Sequence, residues 1–147
     1  MSAIIVGTDG SSHSLGAVEW GMREAAVRDV PVTVVIVYQA AAGYWGGKPG
    51  YPEGDEPGRK ALAAAQEQAD KALSQLGVTR PPAVEVRAIH GIPVDELMKA
   101  AREADMLVVA ARGSGGLARL LLDSVATQLS HHAPCPLVII PQADAHR

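Results

Sequence analysis

The sequence predicts an α/β protein built on a five-stranded, parallel, open sheet. Four short runs are almost continuously apolar and rich in Val, Ile or Leu, which is typical of parallel strands buried on both faces. Stretches with helical periodicity separate the runs, and strands that alternate with helices favour parallel pairing through right-handed crossovers. The five predicted strands are Ala3–Val6, Val32–Val37, Val84–Ile89, Met106–Ala111 and Leu137–Ile140.

The third predicted strand differs from the other four. In it Glu85 and Arg87 alternate with apolar residues, which indicates a half-exposed strand at a sheet edge. If strands 1, 2 and 3 build outward on one side and strand 4 returns beside strand 1, the third strand lies at that edge. We therefore predict a Rossmann-like sheet of order 3-2-1-4-5 with helices on both faces.

Four helices are predicted between the strands. Ser12 or Ser14 is available to cap the first, and Gly77 ends the second. Pro93 is placed for the first turn of the third, and Pro134 prevents the fourth from continuing. The apolar stripes at helical spacing are Leu15, Val18, Met22 and Ala25; Leu62, Ala65, Ala69, Leu73 and Leu76; Val94, Leu97 and Ala101; and Leu121, Val125 and Leu129.

Length and composition bound the class of protein. The 147 residues fit one domain, 1–147, and 48% hydrophobic residues suffice for a sizeable core. A net charge of −3 predicts no bulk attraction to nucleic acid or to a membrane surface. The single cysteine, Cys135, suits a reducing compartment. Because we find neither a secretory signal nor an apolar run of about 18 residues, we expect a cytoplasmic protein.

The segment Gln39–Gly58 interrupts the alternation of strands and helices. It is rich in Gly and Pro, and together with the end of the preceding strand it holds Tyr38, Tyr44, Trp45 and Tyr51. A loop this long inside a compact domain is usually functional or disordered. We predict a flexible loop, with a lid or a partner-binding surface as the alternative.

An acidic residue, Asp9, follows the first predicted strand. Ligands of open α/β sheets bind at the carboxyl ends of strands, where the strand order reverses, and this favours a binding role. An Asp-Gly pair equally suits a turn or a helix cap. From this segment alone both roles stay open.

A glycine-rich turn, Gly113–Gly116, follows the fourth predicted strand. Such a turn exposes backbone N–H groups that bind phosphate oxygens, and Arg112 would add a charge-assisted bond. The alternative is a tight connection in which glycine supplies backbone freedom alone. In the predicted strand order the turn and Asp9 face each other across the reversal point between strands 1 and 4, which favours one shared binding site.

Motifs along the chain resemble those of universal stress proteins. Val6–Ser11 is similar to the opening of that family, His90–Pro93 to the short motif after its third strand, and Leu107–Ile140 to its C-terminal signature. The resemblance covers the chain except Gln39–Gly58. It implies a regulatory module of the stress response that binds ATP or another adenine nucleotide. It also implies a homodimer through the apolar strand 137–140, which we place at a sheet edge.

The resemblance implies which residues hold the nucleotide. Asp9 and the backbone near Val37 would hold the adenosine part, and Gly113–Gly116, Ser124 and Val125 would hold the phosphates. The predicted nucleotide-binding residues are Gly7, Thr8, Asp9, Val37, Ala110, Arg112, Gly113, Ser114, Gly115, Gly116, Asp123, Ser124 and Val125.

Two residues depart from the family's phosphate motif, because Ala110 and Asp123 stand where nucleotide-binding members carry glycine. Ala110 adds a methyl group where the backbone approaches the ligand. A carboxylate at about 4 Å from a phosphate charge costs about 4 kcal/mol, or roughly a thousandfold in affinity, at an effective dielectric constant near 20. A bridging Mg²⁺ would reverse that sign, and Asp123 would alternatively cap the fourth helix. We expect weakened triphosphate binding with the adenosine end retained.

Other interpretations fit the sequence less well. Arg112 stands where a hydrolase elbow needs glycine, so no catalytic residue is predicted, although a slow ATPase activity stays open. His131, His132 and Cys135 span a helix end without an obvious fourth ligand, so no metal site is predicted. The main alternative is a dimeric scaffold that has lost nucleotide binding.

Overall fold

The computed structural model describes residues 3–39, 43–45, 48–50, 56–111 and 117–141, with the backbone alone for 43–45, 48–50 and 117–124. In chain order the elements are β1 (Ile4–Thr8), α1 (Ser12–Arg28), β2 (Val32–Tyr38), β3 (Gly43–Trp45), β4 (Lys48–Gly50), α2 (Glu56–Ser74), β5 (Val84–His90), α3 (Pro93–Ala101), β6 (Met106–Ala110), α4 (Leu117–His132) and β7 (Leu137–Ile140).

Five of these strands form one parallel sheet in the order β5-β2-β1-β6-β7. This confirms the predicted order 3-2-1-4-5. Val6, in the central strand, lies opposite Val34 of β2 and Val108 of β6. Burial alternates along the first residues of β5, where Glu85 and Arg87 are exposed, and β5 is an outer strand as expected.

Helices cover both faces of the sheet. Gly21 of α1 lies against Val6, whereas Leu97 of α3 lies against the next residue of β1, Gly7. Because successive residues of a strand face opposite sides, α1 and α3 lie on opposite faces. α2 packs beside α1, and α4 packs beside α3. The two layers bury an aliphatic core, whose largest fully buried residues include Ile4, Met22, Leu107, Leu129 and Val108.

The helix ends agree in part with the sequence prediction. Pro93 is the first residue of α3, and α4 ends at His132, before Pro134. The predicted caps of α1 are wrong, because the N-cap residue is Ser11, whose side chain makes no capping hydrogen bond. Gly77 adopts a positive φ of 65°, as a helix stop requires, three residues after α2 ends.

The segment Gln39–Gly58 contains more regular structure than predicted. β3 and β4 pair antiparallel as a separate two-stranded sheet, and α2 begins at Glu56. Pro49 argues against a central strand, but both strands of an isolated hairpin are edges, where proline is tolerated. The predicted loop segment therefore contains a hairpin and the start of α2, whereas its flexibility stays a prediction.

Candidate functional site

The carboxyl ends of β1 and β6 lie side by side. The two strands pair in parallel with Ile4 opposite Met106 and Val6 opposite Val108, so β1 ends at Thr8 beside the last residues of β6. β2 lies on the other side of β1, and β7 on the other side of β6. The chain therefore leaves β1 and β6 in opposite directions, and the strand order reverses between them. Open α/β sheets have their ligand crevice at this kind of position.

Asp9 follows β1 at this point and organises the turn into α1. Its Oδ1 accepts hydrogen bonds from the backbone N–H of Ser11 at 2.9 Å and from the Ser11 hydroxyl. The hydroxyl of Ser14 lies 2.9 Å from the same oxygen. The Asp9 side chain thus closes a turn onto the N–H of Ser11, the N-cap residue of α1. The turn role that the sequence allowed is confirmed, and the ligand role stays a prediction.

Gly10 closes this turn and has to be glycine for two reasons. Its φ is 81°, in the left-handed region that side-chain-bearing residues rarely adopt. A Cβ there would lie 3.2 Å from Cβ of Ala64 in α2 and 3.4 Å from Cδ1 of Ile36. The turn therefore packs directly against the second helix.

Thr8 is a buried polar centre beneath the turn, with 6% of its surface exposed. Its Oγ1 accepts a hydrogen bond from the N–H of Gly10 at 3.1 Å and lies 2.6 Å from the hydroxyl of Ser14. It also donates to Oε1 of Gln68 at 2.6 Å. Buried hydroxyls are tolerated when they are bonded in this way.

The sequence prediction missed Gln68 altogether and considered Ser14 as a helix cap alone. Gln68 comes from α2 and donates through Nε2 to the backbone carbonyl of Ser11 at 2.7 Å. A signal was present, since Gln68 follows Ala65 by three residues and precedes Ala72 by four, which puts it on the buried face of the helix. Because glutamine is polar, Gln68 was not included in the predicted apolar stripe.

Four other residues of the predicted nucleotide site lie in fully described parts of the chain. Gly7 is buried in β1, and a Cβ there would lie 3.0 Å from Cδ2 of Leu97, which gives it a packing role. Val37 is half-buried near the end of β2. Ala110 ends β6 with 2% of its surface exposed, and Val125 is buried in α4. None of these observations tests ligand contact.

The rest of the predicted set lies outside what the structure describes. Arg112, Gly113, Ser114, Gly115 and Gly116 are not among the described residues. Asp123 and Ser124 belong to α4, but their side chains are not described. The pairing of β1 with β6 brings the ends of these two strands side by side, whereas the position and contacts of residues 112–116 stay predictions.

Two open clefts do not include Asp9 in their lining. One, of about 390 Å³, runs beside the outer strand β5 and includes Tyr38 and Arg87 in its lining. The ring of Tyr38 meets that of His90 edge to face, with centroids 5.5 Å apart. The other, of about 530 Å³, follows α3 and reaches His132. Asp9 lines neither cleft, so the candidate site rests on strand topology and on the turn.

Among the described residues, no three His, Cys, Asp or Glu side chains lie together as a metal-binding group. No helix in the described part of the chain combines the length and the hydrophobicity that crossing a bilayer requires.

Together these features define an α/β protein of Rossmann-like topology with an acidic turn at the reversal point of its sheet. The chain belongs to the universal stress protein family, whose model matches residues 1–141. The family resemblance drawn from the motifs is therefore confirmed.

Curated relatives support the same family. A universal stress protein of Mycobacterium tuberculosis is 37% identical over an alignment of 147 positions. The alignment covers 97% of this chain and 48% of the relative. One of Mycolicibacterium smegmatis is 35% identical over 138 residues, 93% of this chain and 47% of that protein. The chain spans about half the length of the curated relatives it matches.

Solved structures share the fold. A universal stress protein in complex with cAMP is 28% identical, with a TM-score of 0.66 and coverage of 97% of this chain and 98% of that one. The universal stress protein UspA from Lactobacillus plantarum superposes with a TM-score of 0.70 at 20% identity, covering 95% and 97% of the two chains. Because the UspA chain is only 20% identical to this one, its similarity shows a shared fold and nothing more.

Proposed function

We propose that this chain is an adenine-nucleotide-binding regulatory module of the stress response, with its site in the crevice between the carboxyl ends of β1 and β6. The observation that carries the proposal is the reversal of strand order between these two strands, with Asp9 directly after β1. The solved family member 28% identical to this chain, whose structure contains cAMP, supports an adenine-containing ligand.

The adenosine end of the site is assigned to the ends of β1 and β2. Gly7, Thr8 and Asp9 lead out of the central strand, and Val37 lies near the end of the neighbouring strand. The hydrogen bonds of Thr8 and Asp9 hold the turn in one conformation before a ligand arrives. A preorganised turn of this kind reduces the ordering cost of binding.

The phosphate end is assigned to Gly113–Gly116, Ser124 and Val125, with Arg112 as a charge-assisted donor. Asp123 adds a negative charge to that end and opposes the phosphates unless a divalent cation such as Mg²⁺ bridges them. The proposed order of metal-free affinity is therefore AMP or adenosine above ADP, and ADP above ATP.

Two measurements test this function. Protein purified without added nucleotide is heat-denatured and the supernatant analysed for released adenine nucleotides. Calorimetric titrations with ATP, ADP and AMP, each with and without Mg²⁺, then give the affinities. Tight metal-free ATP binding would contradict the weakened phosphate end, and no binding of any adenine compound would contradict the function. Incubation with ATP for hours measures any slow hydrolysis.

A dimeric scaffold that has lost nucleotide binding is the second candidate. The departures at Ala110 and Asp123 favour it, and so does the use of Asp9 Oδ1 within its own turn. This candidate predicts empty protein after heat denaturation and flat titrations with all three nucleotides. The two functions are therefore separated by the same experiment.

A homodimer through β7 is part of both candidates. β7 is an outer strand of the sheet, paired with β6 on one side among the described residues. Ile139 is 39% exposed on this apolar strand. An outer strand without charged side chains favours pairing with a second copy of itself.

A further inference from the structure

Gln68 is a polar residue on the buried face of α2. The other buried residues of that helix are Gly58, Ala65, Ala69 and Ala72, whereas only 8% of the Gln68 surface is exposed. A buried amide is costly unless its donor and acceptor atoms are bonded. Its presence among buried alanines and a glycine indicates that its hydrogen bonds matter at this position.

Both the oxygen and the nitrogen of the Gln68 side-chain amide form hydrogen bonds, and these bonds define the orientation of the amide. The backbone carbonyl of Ser11 can only accept, so the Gln68 atom 2.7 Å from it is the donor Nε2. Oε1 therefore faces Thr8 at 2.6 Å and takes the hydroxyl hydrogen of that residue. Flipping the amide would place two acceptors against each other at Ser11.

The Gln68 amide in turn sets the direction of the Thr8 hydroxyl. Thr8 has one hydroxyl hydrogen, and it is directed to Gln68. Thr8 Oγ1 in turn accepts the N–H of Gly10 at 3.1 Å. Gln68 thus orients the acceptor that holds the Gly10 amide.

Thr8 and Ser11 are the residues on either side of the Asp9-Gly10 pair. The side chain of Gln68, about 60 positions later in the chain, therefore forms hydrogen bonds with both ends of the turn and holds it against α2. We infer that Gln68 is a positioning residue of the adenosine end: it holds the Asp9 turn in the conformation that binds the nucleoside without touching the nucleoside itself. This inference rests on the proposed function.

Gln68→Met tests the inference, because methionine keeps the length of the side chain and removes both hydrogen bonds. Gln66→Met is the matched control, since Gln66 is exposed on the same helix and bonds only weakly to Asp70, at 3.4 Å. Adenosine is titrated at a temperature where all variants are folded. We expect roughly tenfold weaker adenosine binding by Gln68→Met, the loss expected for about one hydrogen bond to a positioned group, and unchanged binding by Gln66→Met.

Amide hydrogen exchange of the ligand-free protein separates positioning from general destabilisation. In Gln68→Met the amides of Gly10 and Ser11 are expected to exchange faster, whereas that of Val108 in β6 keeps its wild-type rate. If Gln68→Met does not fold, Gln68→Glu serves instead, because it retains the acceptor for Thr8 and loses the donor to Ser11.

The outcomes test the positioning role of Gln68 and the proposed nucleotide binding separately. Adenosine affinity equal to wild type, or exchange accelerated equally at Gly10, Ser11 and Val108, overturns the positioning role. Absence of adenosine binding by the wild-type protein overturns the binding part of the inference, and absence of binding of every adenine compound overturns the proposed function as well. Unchanged exchange at Gly10 and Ser11 overturns the inference whatever the wild type binds.

Discussion

Gly21 of α1 packs directly against Val6 of β1, so closely that a Cβ on Gly21 would overlap Val6 Cγ2. Helix and central strand approach each other here because the helix residue has no side chain. We predict that Gly21→Ala destabilises the fold by about 1–3 kcal/mol through overpacking, offset by up to about 1 kcal/mol of helix propensity. Urea unfolding followed by circular dichroism measures the change.

The matched control for this substitution is Gly16→Ala in the same helix. The nearest atom to a Cβ on Gly16 is Cγ2 of Ile140, at an ordinary contact distance of 4.0 Å. Gly16→Ala is therefore expected to gain about 0.5–1 kcal/mol. Equal stability changes for the two variants would show that close packing at Gly21 does not control the helix position.

The charge of Asp123 is predicted to limit ATP affinity. Asp123→Gly restores the residue of the family's motif and removes a carboxylate from the proposed phosphate end. We expect tighter metal-free ATP binding, by at most roughly a thousandfold, and little change for adenosine. Glu103→Ala, which removes an exposed charge after α3, is the control. Unchanged ATP affinity in Asp123→Gly would mean that this carboxylate does not face the phosphates.

Dimerisation through β7 is predicted to depend on Ile139. Replacing it by lysine puts a charge on the outer apolar strand, which is how proteins prevent edge pairing. We expect Ile139→Lys to sediment as a monomer at micromolar concentration, where the wild type sediments as a dimer. Val27→Lys is the control, because Val27 is 81% exposed on α1 and far from the outer strand in sequence. A monomeric wild type would contradict the dimer directly.

The thiol of Cys135 is predicted to react slowly near neutral pH. Burial raises the pKa of this thiol above its usual range, the backbone N–H of Leu107 opposes that shift, and the Asp105 carboxylate adds to it. Because the thiolate is the nucleophile, a raised pKa means slower reaction with a disulfide reagent than in the urea-unfolded chain at the same pH. Stopped-flow measurement of thiol labelling provides the comparison.

The same shift has a consequence for stability. A thiol with a raised pKa in the folded state favours folding below its unfolded pKa, and this contribution is lost as the pH rises through the folded value. The expected loss is therefore confined to alkaline solution. A labelling rate in the native protein equal to that of the unfolded chain would show that Cys135 is not protected.

Local patterns predicted the architecture well. The alternation of Glu85 and Arg87 with apolar residues indicated an outer strand, and β5 is one. The edge position of that strand favoured an order in which strand 4 returns beside strand 1, and the structure has this order. Proline and glycine marked helix ends because their restrictions act within a few residues, as Pro93 shows.

Other features were mispredicted or missed because they depend on distant partners. Leu62 belonged to the predicted apolar stripe of the second helix but is 40% exposed, whereas Gln68 is buried on that helix. Periodicity identifies a face of a helix, but the exact rotation of that face depends on what it packs against. The hairpin of β3 and β4 was missed because Gly and Pro weaken the strand signal.

The order of strands and helices, the sheet topology, the position of Asp9 after the central strand and the family could be predicted from the residues alone. The strands and helices follow from residue spacing and backbone restrictions, which act locally along the chain, whereas the family was predicted from the resemblance of short motifs. The hydrogen bonds of Gln68 to both ends of the Asp9 turn, and the close packing at Gly7 and Gly21, became visible only in the folded structure. Such contacts join residues that are far apart in the chain, and their geometry exists only once the layers have packed together.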